Sequence, residues 1–299
     1  VSTSSAKPDP PTATHQTASS ITLSWSAPTV GTGEASTGYQ VYLVTVAAGT
    51  TEPVYTVVYD GAGSEATSVE LTSLDSGSLY TYVLSSLSAA GESDKSDAMS
   101  ASTAPGVATG LTSTVQTTGS IALAWTAPTI PSGAAVTGYK VYARVVHSQS
   151  SVSDVFAEAG VGADVVEHFL DPEDQSMVLD TLVYDGRNDV TTATDPSTEL
   201  NNLQGGSLYT YLVGALSDAG ESDRSASLAV STAAPAPTGL VSVSQTTTGM
   251  ELSWTAPEVT SGEAVTGYKV YRDDGAGGAV DVVAYDSREN SGDFVSTSC

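Results

Sequence analysis

The sequence predicts an all-β fold, a tandem series of antiparallel β-sandwiches. Three observations carry that prediction: a block built around Trp occurs three times, apolar residues inside each block alternate with period two, and clusters of Gly, Ser, Thr and Pro separate the blocks with no long helical pattern between them. Composition agrees. Of 299 residues 82 are Ser or Thr, 28 are Gly and 13 are Pro, so strand and turn formers dominate and helix formers are scarce. A hydrophobic share of 40% excludes a wholly disordered chain, and the length suits two or three domains.

The first element of each repeat is Ile21-Thr22-Leu23-Ser24-Trp25-Ser26-Ala27-Pro28, which returns as Ile121 to Pro128 and as Met250 to Pro257. Ile21, Leu23 and Trp25 alternate with Thr22 and Ser24, the pattern of a strand with one buried and one wet face. Pro28, Pro128 and Pro257 end it, because proline cannot donate to a ladder. Thirteen residues after each Trp comes Gly-Tyr-x-Val-Tyr, at Gly38 to Tyr42, Gly138 to Tyr142 and Gly267 to Tyr271, a second alternating strand. The third element, Gly77-Ser78-Leu79-Tyr80-Thr81-Tyr82, returns once, as Gly206 to Tyr211, and is followed each time by Ala-Gly-Glu-Ser-Asp.

These residues resemble the fibronectin type III domain, the seven-strand relative of the immunoglobulin sandwich. The resemblance rests on the second-strand Trp (Trp25, Trp125, Trp254), on the Tyr-x-Val of the third strand (Tyr39, Tyr139, Tyr268) and on a Leu-x-x-Gly-x-x-Tyr tyrosine corner ending in Tyr80 and Tyr209. The spacing of these aromatic residues puts them on the strand face that other apolar residues share, so core packing is favoured over a sugar-binding platform. Ser76 and Gly205 stand where the family commonly has Pro, which loosens the corner. The resemblance covers nearly the whole chain and assigns residues 1–7 to the tail of a preceding module, 8–104 to module 1, 105–233 to module 2 and 234–299 to a third, truncated module.

Links at Ser102 to Gly106 and Ser231 to Pro237 are short and hold Pro, hence semi-rigid. The Trp-to-Trp spacings are 100 and 129 residues, so module 2 carries 29 extra residues, 25 of them between Tyr142 and Tyr184. That insertion, near 143–183, is rich in Asp and Glu. Cys299 lies near where a third tyrosine corner should begin, so the last two strands of module 3 are expected from further chain or, less simply, from another chain.

The chemistry the residues exclude is as informative. With 9 Lys and Arg against 34 Asp and Glu, the net charge is −25, which repels nucleic acid and anionic membranes. No apolar run reaches the roughly 18 residues needed to cross a bilayer, so no membrane insertion is expected of this segment. One Cys allows no internal disulfide. His15, His147 and His168 are the only imidazoles, and no nucleophile elbow, zinc-binding helix, phosphate loop or Cys-x-x-Cys is present, so the chain reads as non-enzymatic and without a resident cofactor. Asp171, Glu173 and Asp174 are the candidate calcium ligands, close enough in sequence to share a hard cation, though they lack the spacing of an EF-hand; a solvated acidic loop is the favoured reading. Thr29, Thr103, Thr129 and Thr238, near Pro, are candidate O-glycan acceptors.

The expectation is a non-catalytic, extracellular or cell-surface structural protein. It is a fragment of a long module array acting as spacer or filament building block, with other copies or modules of the array, and O-linked glycans, as partners. The resemblance also admits a spacer region of a secreted polysaccharide-degrading enzyme, or an adhesin or receptor ectodomain.

Overall fold

A computed structural model describes residues 5–29, 34–147, 165–170, 177–187, 196–273 and 275–288. The described residues form strands and turns without a helix. Two compact units emerge: Val1–Thr112 with Ala124–Ser197 and Tyr211–Leu228, and Ser113–Leu123 with Thr198–Thr210 and Ala229–Cys299.

The first repeat runs β1 (Thr12–Gln16), β2 (Ile21–Ser24), β3 (Gly38–Val46), β4 (Pro53–Asp60), β5 (Ser68–Leu71), β6 (Leu79–Ser88), β7 (Gly91–Glu92) and β8 (Met99–Ser102). One sheet has the order β1-β2-β5; the other has the order β4-β3-β6, with β7 and β8 both paired to β6. All of its pairings are antiparallel. Alternation decides what is buried: Ile21 and Leu23 are fully enclosed while Thr22 and Ser24 are half-buried. Each enclosed aliphatic contributes about 1.5–3 kcal/mol relative to exposure. Both sheets supply the core, with Ile21, Leu23, Trp25 and Leu71 from one side and Tyr39, Val41, Tyr82, Leu84 and Ala101 from the other. Trp25 meets Tyr39 edge-on at 5.6 Å.

The tyrosine corner forms where the sequence places it. The Asp75 N–H donates to the Tyr80 hydroxyl at 2.8 Å, and the Gln204 N–H donates to that of Tyr209 at 2.9 Å. Tyr80→Phe deletes the acceptor but leaves the ring, so a loss of about 0.5–1.5 kcal/mol is expected in urea unfolding. A neutral outcome would mean that water replaces the hydroxyl.

The second repeat runs β9 (Thr109–Gln116), β10 (Ser120–Thr126), β11 (Val136–His147), β12 (Val165–Leu170), β13 (Met177–Asp185), β14 (Ser197–Asn201), β15 (Leu208–Ser217), β16 (Gly220–Glu221) and β17 (Leu228–Ser231). Its sheets have the orders β14-β10-β9 and β12-β13-β11-β15, with β16 and β17 on β15. Ile121, Leu123, Trp125, Tyr139 and Val141 are all buried, as their counterparts are in the first repeat. One element departs from expectation. The sequence reads the insertion as an acidic loop, yet Val165–Leu170 becomes a strand that pairs antiparallel with β13. The β-branched and aromatic residues Val165, Val166 and Phe169 favour strand formation despite their acidic surroundings.

The third repeat contributes β18 (Thr238–Gln245) paired with β19 (Met250–Thr255), and β20 (Lys269–Arg272) paired with β21 (Val282–Asp286). Trp254 and Tyr268 still meet edge-on at 5.3 Å. Both are half-buried, in contrast to the enclosed Trp and Tyr of the other repeats.

Candidate functional site

Two kinds of constellation recur from repeat to repeat, and the first is a backbone joint. Gly77 sits in the tyrosine-corner loop with φ of 59°, a left-handed conformation that glycine adopts without strain. Its carbonyl accepts the Gly133 N–H at 2.8 Å and the Ser132 N–H at 3.4 Å. The Leu79 N–H donates to Ser132 Oγ at 3.1 Å, and the Ala134 N–H donates to Ser102 Oγ at 3.1 Å. These atoms all belong to the first unit.

Inside the second unit the same pattern is built again with residues 129 positions later. Gly206, with φ of 68°, accepts from Gly262 and Thr260 at 3.0 Å and from Ser261 at 3.4 Å. Leu208 donates to Ser261 Oγ at 3.0 Å, and Glu263 to Ser231 Oγ at 3.2 Å. Pro131 stands where Thr260 donates, so the earlier joint makes one bond fewer. The approach is close enough to require glycine: a Cβ on Gly133 would lie 2.6 Å from the Gly77 carbonyl atoms, and one on Gly262 would lie 2.8 Å from those of Gly206. The linkers are stitched down as well, since Gly77 donates to Ala104 and Gly206 to Ala233.

The second constellation lies on the face of the β3 and β11 sheets. In the first repeat the Tyr42 hydroxyl meets Glu92 and Gln40, and Lys95 sits 4.1 Å from the Tyr42 ring centroid. Burial, reinforced by the Glu92 carboxylate, pushes the Tyr42 hydroxyl up to about 12. In the second repeat the Tyr142 hydroxyl meets Glu221, Lys140 binds the same carboxylate at 2.8 Å, and Arg224 lies 4.0 Å from the Tyr142 ring centroid.

Asp180 takes the place of Tyr55 and is fully buried. Arg144 grips it with two bonds, from Nε at 2.7 Å and Nη2 at 2.8 Å, and Arg224 adds a third contact. Burial alone would raise the Asp180 carboxyl; the two guanidinium groups outweigh it and hold the group below the usual carboxylate range. This cluster forms one wall of a polar cleft of about 700 Å³, completed by Thr14, His15 and Asp218.

Placement of the sequence-derived candidates is direct. Trp25, Trp125, Tyr39 and Tyr139 are buried, and Tyr80 and Tyr209 are half-buried in their corners. The indole N–H groups of Trp25, Trp125 and Trp254 are enclosed without an acceptor among the described residues, an orientation suited to packing rather than to ligand recognition. Ser36 meets the Tyr39 hydroxyl at 3.0 Å; Val136 occupies the corresponding position beside Tyr139.

Thr103 does not fit the role of O-glycan acceptor. It is fully buried, and its hydroxyl donates to the Asp75 carbonyl at 2.7 Å and accepts the Ser78 N–H at 3.0 Å, which leaves no room for a sugar. Thr29, Thr129 and Thr238 are exposed. Asp171, Glu173 and Asp174 lie outside the described residues. Among the described residues no three His, Cys, Asp or Glu side chains gather as metal ligands, and no helix is long and apolar enough to cross a membrane. Sequence reasoning missed the joint and the Asp180 cluster. The repeated Ser-Gly at 132–133 and 261–262 is the signal that could have shown the first.

Comparison with known proteins finds relatives of parts of this chain. Chitinase A1 of Niallia circulans is 35% identical over 162 residues, which cover 50% of this chain and 20% of that protein. Exoglucanase B of Cellulomonas fimi is 29% identical over 167 residues, 51% of this chain and 14% of that protein. The chain therefore spans a fifth or less of these relatives. Among solved structures, a two-domain fibronectin type III segment of chicken tenascin aligns with 75% of this chain and 99% of its own, at 18% identity and a TM-score of 0.31. Residues 6–102 and 104–231 each match the fibronectin type III domain model, and the chain belongs to the fibronectin type III family.

Proposed function

We propose that this chain is a non-catalytic spacer whose repeats are held in register by the joint, and that it works outside the cell. One observation carries the reading: the same carbonyl, the same Ser-Gly amides and the same Ser hydroxyl contacts are used at Gly77 and again at Gly206. A free hinge between beads would need none of these bonds, whereas a spacer that transmits position does. The charge of −25 supports solubility at high local concentration.

Gly133→Val tests the proposal, because its side chain would have to occupy the space of the Gly77 carbonyl. The expected result is unchanged stability of each repeat with faster amide exchange at Leu79 and Ala134, by about tenfold, and a broader distribution of dimensions in small-angle scattering. Identical exchange and scattering for variant and parent would refute the spacer reading.

Similarity to Chitinase A1 and Exoglucanase B favours, as a second reading of context, an accessory region within a polysaccharide-degrading enzyme. The full reading frame discriminates: a catalytic region supports this context, while further Trp and Gly-Tyr-x-Val-Tyr repeats support an array at a cell surface or in a filament.

A further inference from the structure

The first two repeats treat one sheet edge differently. Strands β4 and β13 pair with β3 and β11 in the same register, with the same bulge: Val41 faces Tyr59 and Tyr42 faces Val57, as Val141 faces Tyr184 and Tyr142 faces Leu182. On its outer side β13 carries β12, with Glu167 opposite Asp180 and His168 opposite Leu179. Among the described residues no strand pairs with the outer side of β4. Exposure follows: Leu179 is 2% exposed, whereas Val54, its counterpart, is 52% exposed and Val57 is 46% exposed.

Edges of this kind are commonly blunted by charge or proline. Here the stretch from Val54 to Tyr59 has neither, and Pro53 removes only the first donor of the strand. Beside the edge, between β4 and β5, runs a groove of about 390 Å³ lined by Leu43, Val58, Val69, Leu71 and Tyr82. Glu70 lines the groove, while Glu52 precedes β4 and Asp60 ends it; all three acids are exposed. The nearby cation, Lys95, is 5.5 Å from the Tyr55 ring centroid and is already paired with Glu92.

We propose that β4 is a docking edge that takes an extended peptide segment as an added antiparallel strand. The segment has apolar, β-branched residues at alternate positions and Lys or Arg at its ends. Main-chain bonds to β4 supply the pairing, the groove takes the alternate apolar side chains, and the acids at 52, 60 and 70 select a basic partner over an acidic one. Strand β12 shows that a fibronectin type III repeat of this chain accepts a strand at this position.

The test titrates the full chain with the peptide Lys-Thr-Val-Thr-Val-Thr-Phe-Lys and follows amide exchange by NMR. The expected result is new protection, about tenfold or more, at alternate amides between Val54 and Tyr59, and a loss of affinity of about tenfold or more in the V54K/V57K variant, whose changes fall on exposed positions. The same peptide with Glu at both ends should bind more weakly at low salt, a readout that does not depend on the variant folding. Protection confined to the third repeat, equal binding by the variant or by the Glu-ended peptide, or absence of binding overturns the proposal. So does self-association with the β4 footprint, which would make a second copy the occupant.

Discussion

Asp180→Ala is expected to destabilise the second repeat by about 3–5 kcal/mol, because it strands two partly buried guanidinium groups that now share one enclosed carboxylate. Urea unfolding followed by the fluorescence of Trp125 measures the loss, and a change below about 1 kcal/mol would show that solvent already screens the cluster. Acid should reproduce part of it. The folded Asp180 carboxyl titrates below its unfolded value, so its contribution is fully present above the ordinary Asp pKa of about 3.9 and is lost as pH falls through the lower folded value. Asp180→Asn should flatten that part of the stability profile below about pH 4. An unaltered acid limb in Asp180→Asn would assign acid sensitivity to other carboxylates.

The second large effect is a contrast between three equivalent residues. Trp25→Ala and Trp125→Ala each remove a buried side chain, against Tyr39 and Tyr139 respectively, and should cost about 3–5 kcal/mol. Trp254 makes the same edge-on contact with Tyr268 but is half-buried, so Trp254→Ala should cost less than half as much. With three Trp in the chain, each variant leaves two indoles as optical reporters of the remaining repeats. Equal costs at all three positions would show that the third repeat encloses its Trp as fully as the others do.

The architecture was legible because period-two alternation and the Trp, Tyr-x-Val and corner motifs are local signals. Ile21 and Leu23 could be assigned a face from spacing, and Tyr80 a backbone partner in the corner from the resemblance to the fibronectin type III domain. What escaped depends on partners far apart in the chain. Asp180 looks like one acid among many in the insertion until β13 brings it beside Arg144 and Arg224. Strand β12 escaped because its acidic neighbours outweighed six residues of strand composition. Thr103 suited glycosylation by its proximity to Pro105, yet its hydroxyl is bound to the tyrosine-corner loop of the first repeat, which only the hydrogen bonds disclose.

The joint has a consequence for the conditions under which this chain keeps its geometry. Its donors and acceptors are peptide groups and the hydroxyls of Ser102, Ser132, Ser231 and Ser261, none of which ionises in the biological range. Acidification, which erodes the Asp180 cluster, therefore leaves these bonds untouched. On the spacer reading proposed above, contacts made by peptide groups and hydroxyls are the part of the chain that does not respond to acid, while the ionic clusters on its faces do.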